Sequence, residues 1–148
     1  MKAAEKEIVS EIIKYTGKQF ELSPYIYERY DASNETHLLE IKDRGKNITF
    51  DDLFIEFDKF AYNRTFSLLH NKKFWYANRV NNEIYIWDIG ELIKANYHFN
   101  WGWALLPSNT DWGGGLIDKY VGVVWKKDAI ASFECKSLKP IKSVEVVK

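Results

Sequence analysis

Residues 30–46 read YDASNETHLLEIKDRGK, and the order of residue types along this stretch decides how the rest of the chain is read. Tyr30–Ser33 and Thr36–Lys42 are short runs of aromatic, branched and alternating residues, the composition of paired strands. Asn34 and Glu35 between them suit a tight turn. With a two-residue turn, Ser33 pairs with Thr36, Asp31 with Leu38 and Arg29 with Glu40 in one antiparallel ladder. Strand side chains alternate, so Asp31, Glu40 and Lys42 share one face while Leu39 and Ile41 point into the opposite, apolar one. Asp31 and Glu40 then stand as diagonal neighbours about 7–8 Å apart at the backbone, a span two carboxylates can close around one cation.

Working outward, Ile8, Val9, Ile12 and Ile13 recur at helical spacing and predict a helix from Ala3 to Tyr15, stopped by Gly17. Glu5 falls almost on the mean direction of that apolar stripe, whereas Glu7 and Glu11 fall on the far side. An acidic group on a buried face needs a partner. KQFELSP, ending at Pro24, gives the first of three strand-like runs, and IYERYDAS and THLLEIK the other two. Leu53, Phe57, Phe60 and Ala61 then predict a second helix running to about Leu69, with Asp51 or Asp52 as its N-cap. FWYANRV and EIYIWDI flank Asn81-Asn82, residues that tolerate the left-handed conformation of a two-residue hairpin. Beyond them, GELIKAN fits a short helix, YHFNWGWALLP is apolar and aromatic, SNTDWGGG is a loop and KYVGVVW a strand.

A chain of 148 residues with 46% apolar and 16% aromatic content fits one domain with a real core, which excludes a disordered segment. Twenty-one basic residues balance twenty-one acidic ones, so any nucleic acid must be held by a local patch rather than a global field. Cys135 is the single cysteine; it excludes an internal disulfide framework and a cysteine-rich zinc site and suits a reducing compartment. His37, His70 and His98 lack metal-ligand spacing, and DWGGGL lacks the Gly-Lys-Ser/Thr ending of a phosphate-binding loop. The opening MKAAEKEIVSEIIKY carries acidic residues through its apolar part, unlike a signal peptide. No run is apolar enough for a membrane span, so the expected location is cytoplasmic.

The order helix, strand, strand, strand, helix, strand, with Asp31 and Glu40-Ile41-Lys42 on adjacent strands, resembles the PD-(D/E)xK nuclease superfamily, as in Holliday-junction resolvases and phage-encoded endonuclease-like proteins. DLFIEFDKFAYNRTF and IYIWDI are also similar to small phage or mobile-element members, so the resemblance spans residues 3 to about 90. Tyr30 stands where the namesake proline would be. The resemblance implies an α/β (α+β) fold: a restriction-endonuclease-like αβββαβ core with a mixed central sheet flanked by helices, an added β-hairpin arm and an aromatic-rich C-terminal extension. Residues 1–148 would form a single domain, with the core over about 3–90 and the extension over about 91–148. It further implies that Asp31, Glu40 and the Ile41 carbonyl bind Mg²⁺, with Mn²⁺ as substitute, that Glu5 adds a first-helix ligand, and that Lys42 assists the attacking water. Hydrolysis of DNA, duplex or branched, would leave 5′-phosphate and 3′-hydroxyl ends. A homodimer is expected by the same likeness, in the host cytoplasm if the chain is phage encoded.

The residue types suit that chemistry. Phosphodiester hydrolysis needs a hard cation to polarise the phosphate and activate water, and Mg²⁺ does this with one or two carboxylates. An ammonium on the same face can contact the phosphate and steer the water. Arg44, Lys46, Lys59 and Arg64 are candidate phosphate contacts, and Lys136, Lys139 and Lys142 recur around Pro140 in a tail that is either solvated or tracks a backbone. Trp101, Trp103 and Trp112 with Tyr97 and Phe99 suit core or subunit packing better than base stacking. Against these stand plainer readings: a solvated hairpin with cross-strand salt bridges, and a Glu5 that merely favours a helix N-terminus. A nuclease fold that no longer cuts, binding nucleic acid or a protein, is the alternative function; a structural virion or assembly component is the third.

Overall fold

The strand period of two, imposed on both central strands, sorts the buried side chains into two cores on opposite faces of one sheet. The computed structural model describes residues 2–24, 29–107 and 115–141. Helix α1 (Ala3–Thr16) closes on Gly17, whose φ of 74° is the left-handed cap that favours glycine, its N–H donating to the Ile13 carbonyl. Strands β1 (Glu21–Leu22), β2 (Ala32–Ser33) and β3 (His37–Gly45) follow, then β4 (Asp52–Glu56), α2 (Phe57–Leu69), β5 (Lys73–Val80), β6 (Glu83–Asp88) and α3 (Ile89–Lys94). Strands β7 (Gly102–Pro107), β8 (Leu116–Trp125) and β9 (Ala131–Glu134) complete the described chain. The fold is mixed α/β.

The main sheet runs β1-β2-β3-β5-β6-β9, parallel only between β3 and β5 and antiparallel elsewhere. On one face Leu39, Ile41, Trp75, Ala77, Ile84, Ile86 and Phe133 meet Ile8, Val9 and Ile12 of α1. On the other, Phe74, Tyr76, Val80, Tyr85 and Trp87 meet Leu53, Ile55, Val124 and Phe99, with Phe60 of α2 packed against them. The second sheet, β4-β8-β7, is antiparallel throughout. Trp101 lies over it so closely that a Cβ on Gly122 would meet its ring at 2.9 Å.

Four local expectations need correction. Residues 52–56 form β4 rather than the first turns of the second helix, because Leu53 and Ile55 alternate into the core and the strand finds a distant partner in β8; Glu56 therefore occupies the N-cap position, without a side-chain cap. The hairpin at Asn81-Asn82 forms as expected, with φ of 53° and 68°. It is no projecting arm, however: β6 lies inside the main sheet, and Trp87 and Ile84 are fully buried. Glu11 is buried rather than on the far side of α1, since the turn after β9 folds over it and the Lys136 N–H donates to its carboxylate. Lys136 and Lys139 accordingly belong to that turn, held by backbone bonds between Glu134 and Lys139, and not to an extended tail. Lys142, the SNTDWGG segment of the loop and Trp112 lie outside the described residues.

Candidate active site

The β2–β3 turn falls one residue later than expected: Ser33 faces Leu38, Ala32 faces Leu39, and the Asn34 N–H donates to the His37 carbonyl at 3.0 Å across Glu35 and Thr36. Asn34 fixes this turn: its Oδ1 accepts from the Thr36 N–H at 2.9 Å and the His37 N–H at 2.6 Å, an Asx turn. The pairing slips by two residues, an even number, so the side-chain faces are those expected. Asp31 sits where β2 leaves its partner. Its N–H donates to the Leu39 carbonyl at 2.8 Å, and its Oδ2 accepts from the Ile41 N–H at 2.7 Å, in place of the backbone carbonyl that a longer β2 would supply. The N–H and C=O of one strand residue point the same way, so the Ile41 carbonyl also faces this edge.

Glu40 points to the α2 face and is 2% exposed. Its carboxyl is close enough to Asp31 for the two groups to influence each other's charge. Burial, reinforced by the neighbouring Asp31, pushes Glu40 well above the usual carboxylate range. Burial likewise raises Asp31, with Glu5 of α1 adding to the effect; Glu5 is therefore in electrostatic reach of the pair. Among the described residues, no group of three or more Asp, Glu, His or Cys side chains is arranged as a cation cage. Two carboxylates and a main-chain carbonyl are nonetheless hard oxygen donors at one edge, the set that suits Mg²⁺, which keeps several of its own waters.

Lys59 and Lys42 neighbour Glu40, and Lys119 joins the cluster through Glu56. Lys59 of α2 places its Nζ 3.4 Å from Glu40 Oε2. Lys42 of β3 lies 3.6 Å from Glu56 Oε2, and Lys119 of β8 lies 3.4 Å from the same oxygen. Burial and the nearby Lys59 hold the Lys42 ammonium below the ordinary lysine range. Lys59 moves the other way: burial works against its charge, but Glu40 and Glu56 raise it above that range. Glu56 is lowered despite its burial because Lys42, Lys59 and Lys119 surround it.

No family model, curated protein or solved structure matches this chain. What the site can do must be read from its own residues. Asp31, Glu40, Lys42, Lys59 and, at the margin, Glu5 are brought together. Arg44 is not available as a phosphate contact: its Nε donates to Asn78 Oδ1 at 2.7 Å and its Nη2 to the Tyr76 hydroxyl at 2.9 Å and to the Phe54 carbonyl, which ties β3 to β4 and β5. Lys46 lines a cavity of about 490 Å³ on the α1 side with Glu7, Asp43 and Arg79. Arg64 lies over Gly90, where a Cβ would come within 3.1 Å of Nη1. His37, 5% exposed against Trp75, is lowered to about 4 by burial and the nearby Lys18 and Lys73; it titrates away from the site.

Glu56 and Lys119 were missed. Local periodicity put Glu56 inside a helix, and nothing near Lys119 in sequence connects it to Glu56, 63 positions away. The aromatic segment divides. Phe99 and Trp101 join the core edge with Phe60, while Trp103 is 72% exposed beside Tyr120.

Proposed function

We propose that this chain is a Mg²⁺-dependent endonuclease with a restriction-endonuclease-like core, hydrolysing phosphodiester bonds of duplex or branched DNA. The observation that carries the reading is the carboxyl pair of half-buried Asp31 and buried Glu40 at the open end of the β2–β3 ladder, with Lys42 and Lys59 beside Glu40. Asp31, Glu40 and the Ile41 carbonyl would hold the ion, whose chemistry would be to polarise the phosphate and acidify a water. Lys42 would orient that water; Lys59, which keeps its charge beside Glu40, would offset negative charge gathering on the phosphate. The main-sheet strands β1, β2, β3 and β5 with α1 and α2 support the same reading, β3 and β5 being parallel neighbours, although β4 of the second sheet is inserted between β3 and α2.

A non-cutting module is the second reading, and one observation favours it: Lys59 already pairs with Glu40, and Lys42 with Glu56, so the charges are satisfied without a cation. Calorimetric titration with Mn²⁺ and cleavage of plasmid and branched DNA separate the two. The nuclease binds Mn²⁺ with heat that Glu40→Gln abolishes, and its cutting falls at least a hundredfold in Asp31→Asn and Lys42→Ala. Equal cutting by wild type and both variants would reject the site, and absence of specific heat would favour the module.

A further inference from the structure

The second sheet reaches the proposed site through two residues. Strand β4 ends on Glu56, opposite Val121 of β8, and Lys119 follows two positions away on the same face. One carboxylate oxygen of Glu56 then meets both Lys42 and Lys119, at 3.6 and 3.4 Å. Lysine carries a compact charge on a flexible four-carbon stem, so an unanchored ammonium visits many positions. All three groups are about three-quarters buried or more, with side-chain exposures of 25% for Lys42 and 21% for Glu56 and Lys119, so the pairing is screened less than a surface ion pair. Lys42 is thus anchored from β4 rather than by Asp31 or Glu40.

The charges suggest how the second lysine is used. Asp31, Glu40 and Glu56 balance Lys42, Lys59 and Lys119 when all are ionised. A divalent cation on the acidic pair leaves the cluster with surplus positive charge, complementary to a phosphodiester. Lys119 is the ammonium that can be given up to it, because Glu56 retains Lys42 as a partner when Lys119 swings away.

Resting on the nuclease reading, we propose that Glu56 is a positioning residue that holds Lys42 for the attacking water, and that Lys119 contacts a substrate phosphate from the second sheet. The test uses the full chain, supercoiled plasmid with Mg²⁺, and Mn²⁺ calorimetry on each variant. Glu56→Gln should lower kcat at least tenfold with KM and Mn²⁺ affinity unchanged, and Glu56→Asp should recover part of the loss. Lys119→Ala should raise KM severalfold with kcat held. Wild-type kcat in Glu56→Gln, joint loss of Mn²⁺ heat and of the melting transition in that variant, or an unchanged KM in Lys119→Ala would overturn the proposal while an active wild type left the nuclease reading standing. A wild type that neither binds Mn²⁺ nor cuts would remove that reading, and this inference with it.

Discussion

Glu40 ionises at a cost, because burial and the adjacent Asp31 both oppose its charge and Lys59 compensates only in part. Its folded-state pKa lies above its unfolded one, so the folded form holds the proton more tightly; stability is greatest below the unfolded value and is lost as pH rises through the folded one. Removing the charge should therefore stabilise the protein where Glu40 is ionised. Glu40→Gln is expected to melt roughly 2–4 °C above wild type at pH 8, the shift that about 1 kcal/mol gives a domain of this size. The gap should close as pH falls to 4. Thermal melts followed by circular dichroism across that range check this, and a variant that melts lower at pH 8 would mean that Lys59 depends on Glu40 more than Glu40 suffers from burial. The shared face of Asp31 and Glu40 was legible in the sequence because alternation survives the even slip of register that a turn placed one residue later produces.

Between elements, the decisive ties cross long stretches of chain. Arg44 donates to Asn78, Tyr76 and the Phe54 carbonyl, and the Tyr76 hydroxyl donates to that same carbonyl at 2.6 Å. Arg44→Ala leaves these acceptors short of donors in a half-buried place, at a cost of about 1–3 kcal/mol. Urea unfolding should register the loss while Mn²⁺ heat is retained; unchanged stability with weakened DNA affinity would return Arg44 to the phosphate-contact role. α1 and the β5–β6 hairpin could be read locally, since helical spacing, Gly17 and Asn81-Asn82 act within a few residues. β4 could not, because Leu53, Phe57, Phe60 and Ala61 satisfy a helical period until β8 supplies a strand partner for Leu53 and Ile55. Glu56 went unseen for the same reason.

Across the molecule, 21 basic and 21 acidic residues cancel, as do Asp31, Glu40 and Glu56 against Lys42, Lys59 and Lys119 when all are ionised. On the proposed nuclease function, DNA binding should therefore depend on the divalent ion and respond only mildly to monovalent salt. With Lys42, Lys59 and Lys119 as the nearby cations, the slope of log K against log salt should be no steeper than about −3, at roughly 0.9 per phosphate neutralised. Fluorescence anisotropy in Ca²⁺ with labelled duplex measures it, and a much steeper slope would place the main contacts on another basic surface. Asp31 carries a different implication for how such a chain can drift. Its side chain finishes the hydrogen bonding of the sheet at Ile41, so, on the proposed nuclease function, a descendant that gave up cutting would still need an acceptor at that position to keep its shape. Glu40 has no such architectural duty and is a burden once ionised. Relaxed selection would erase the glutamate first and leave the aspartate as the relic.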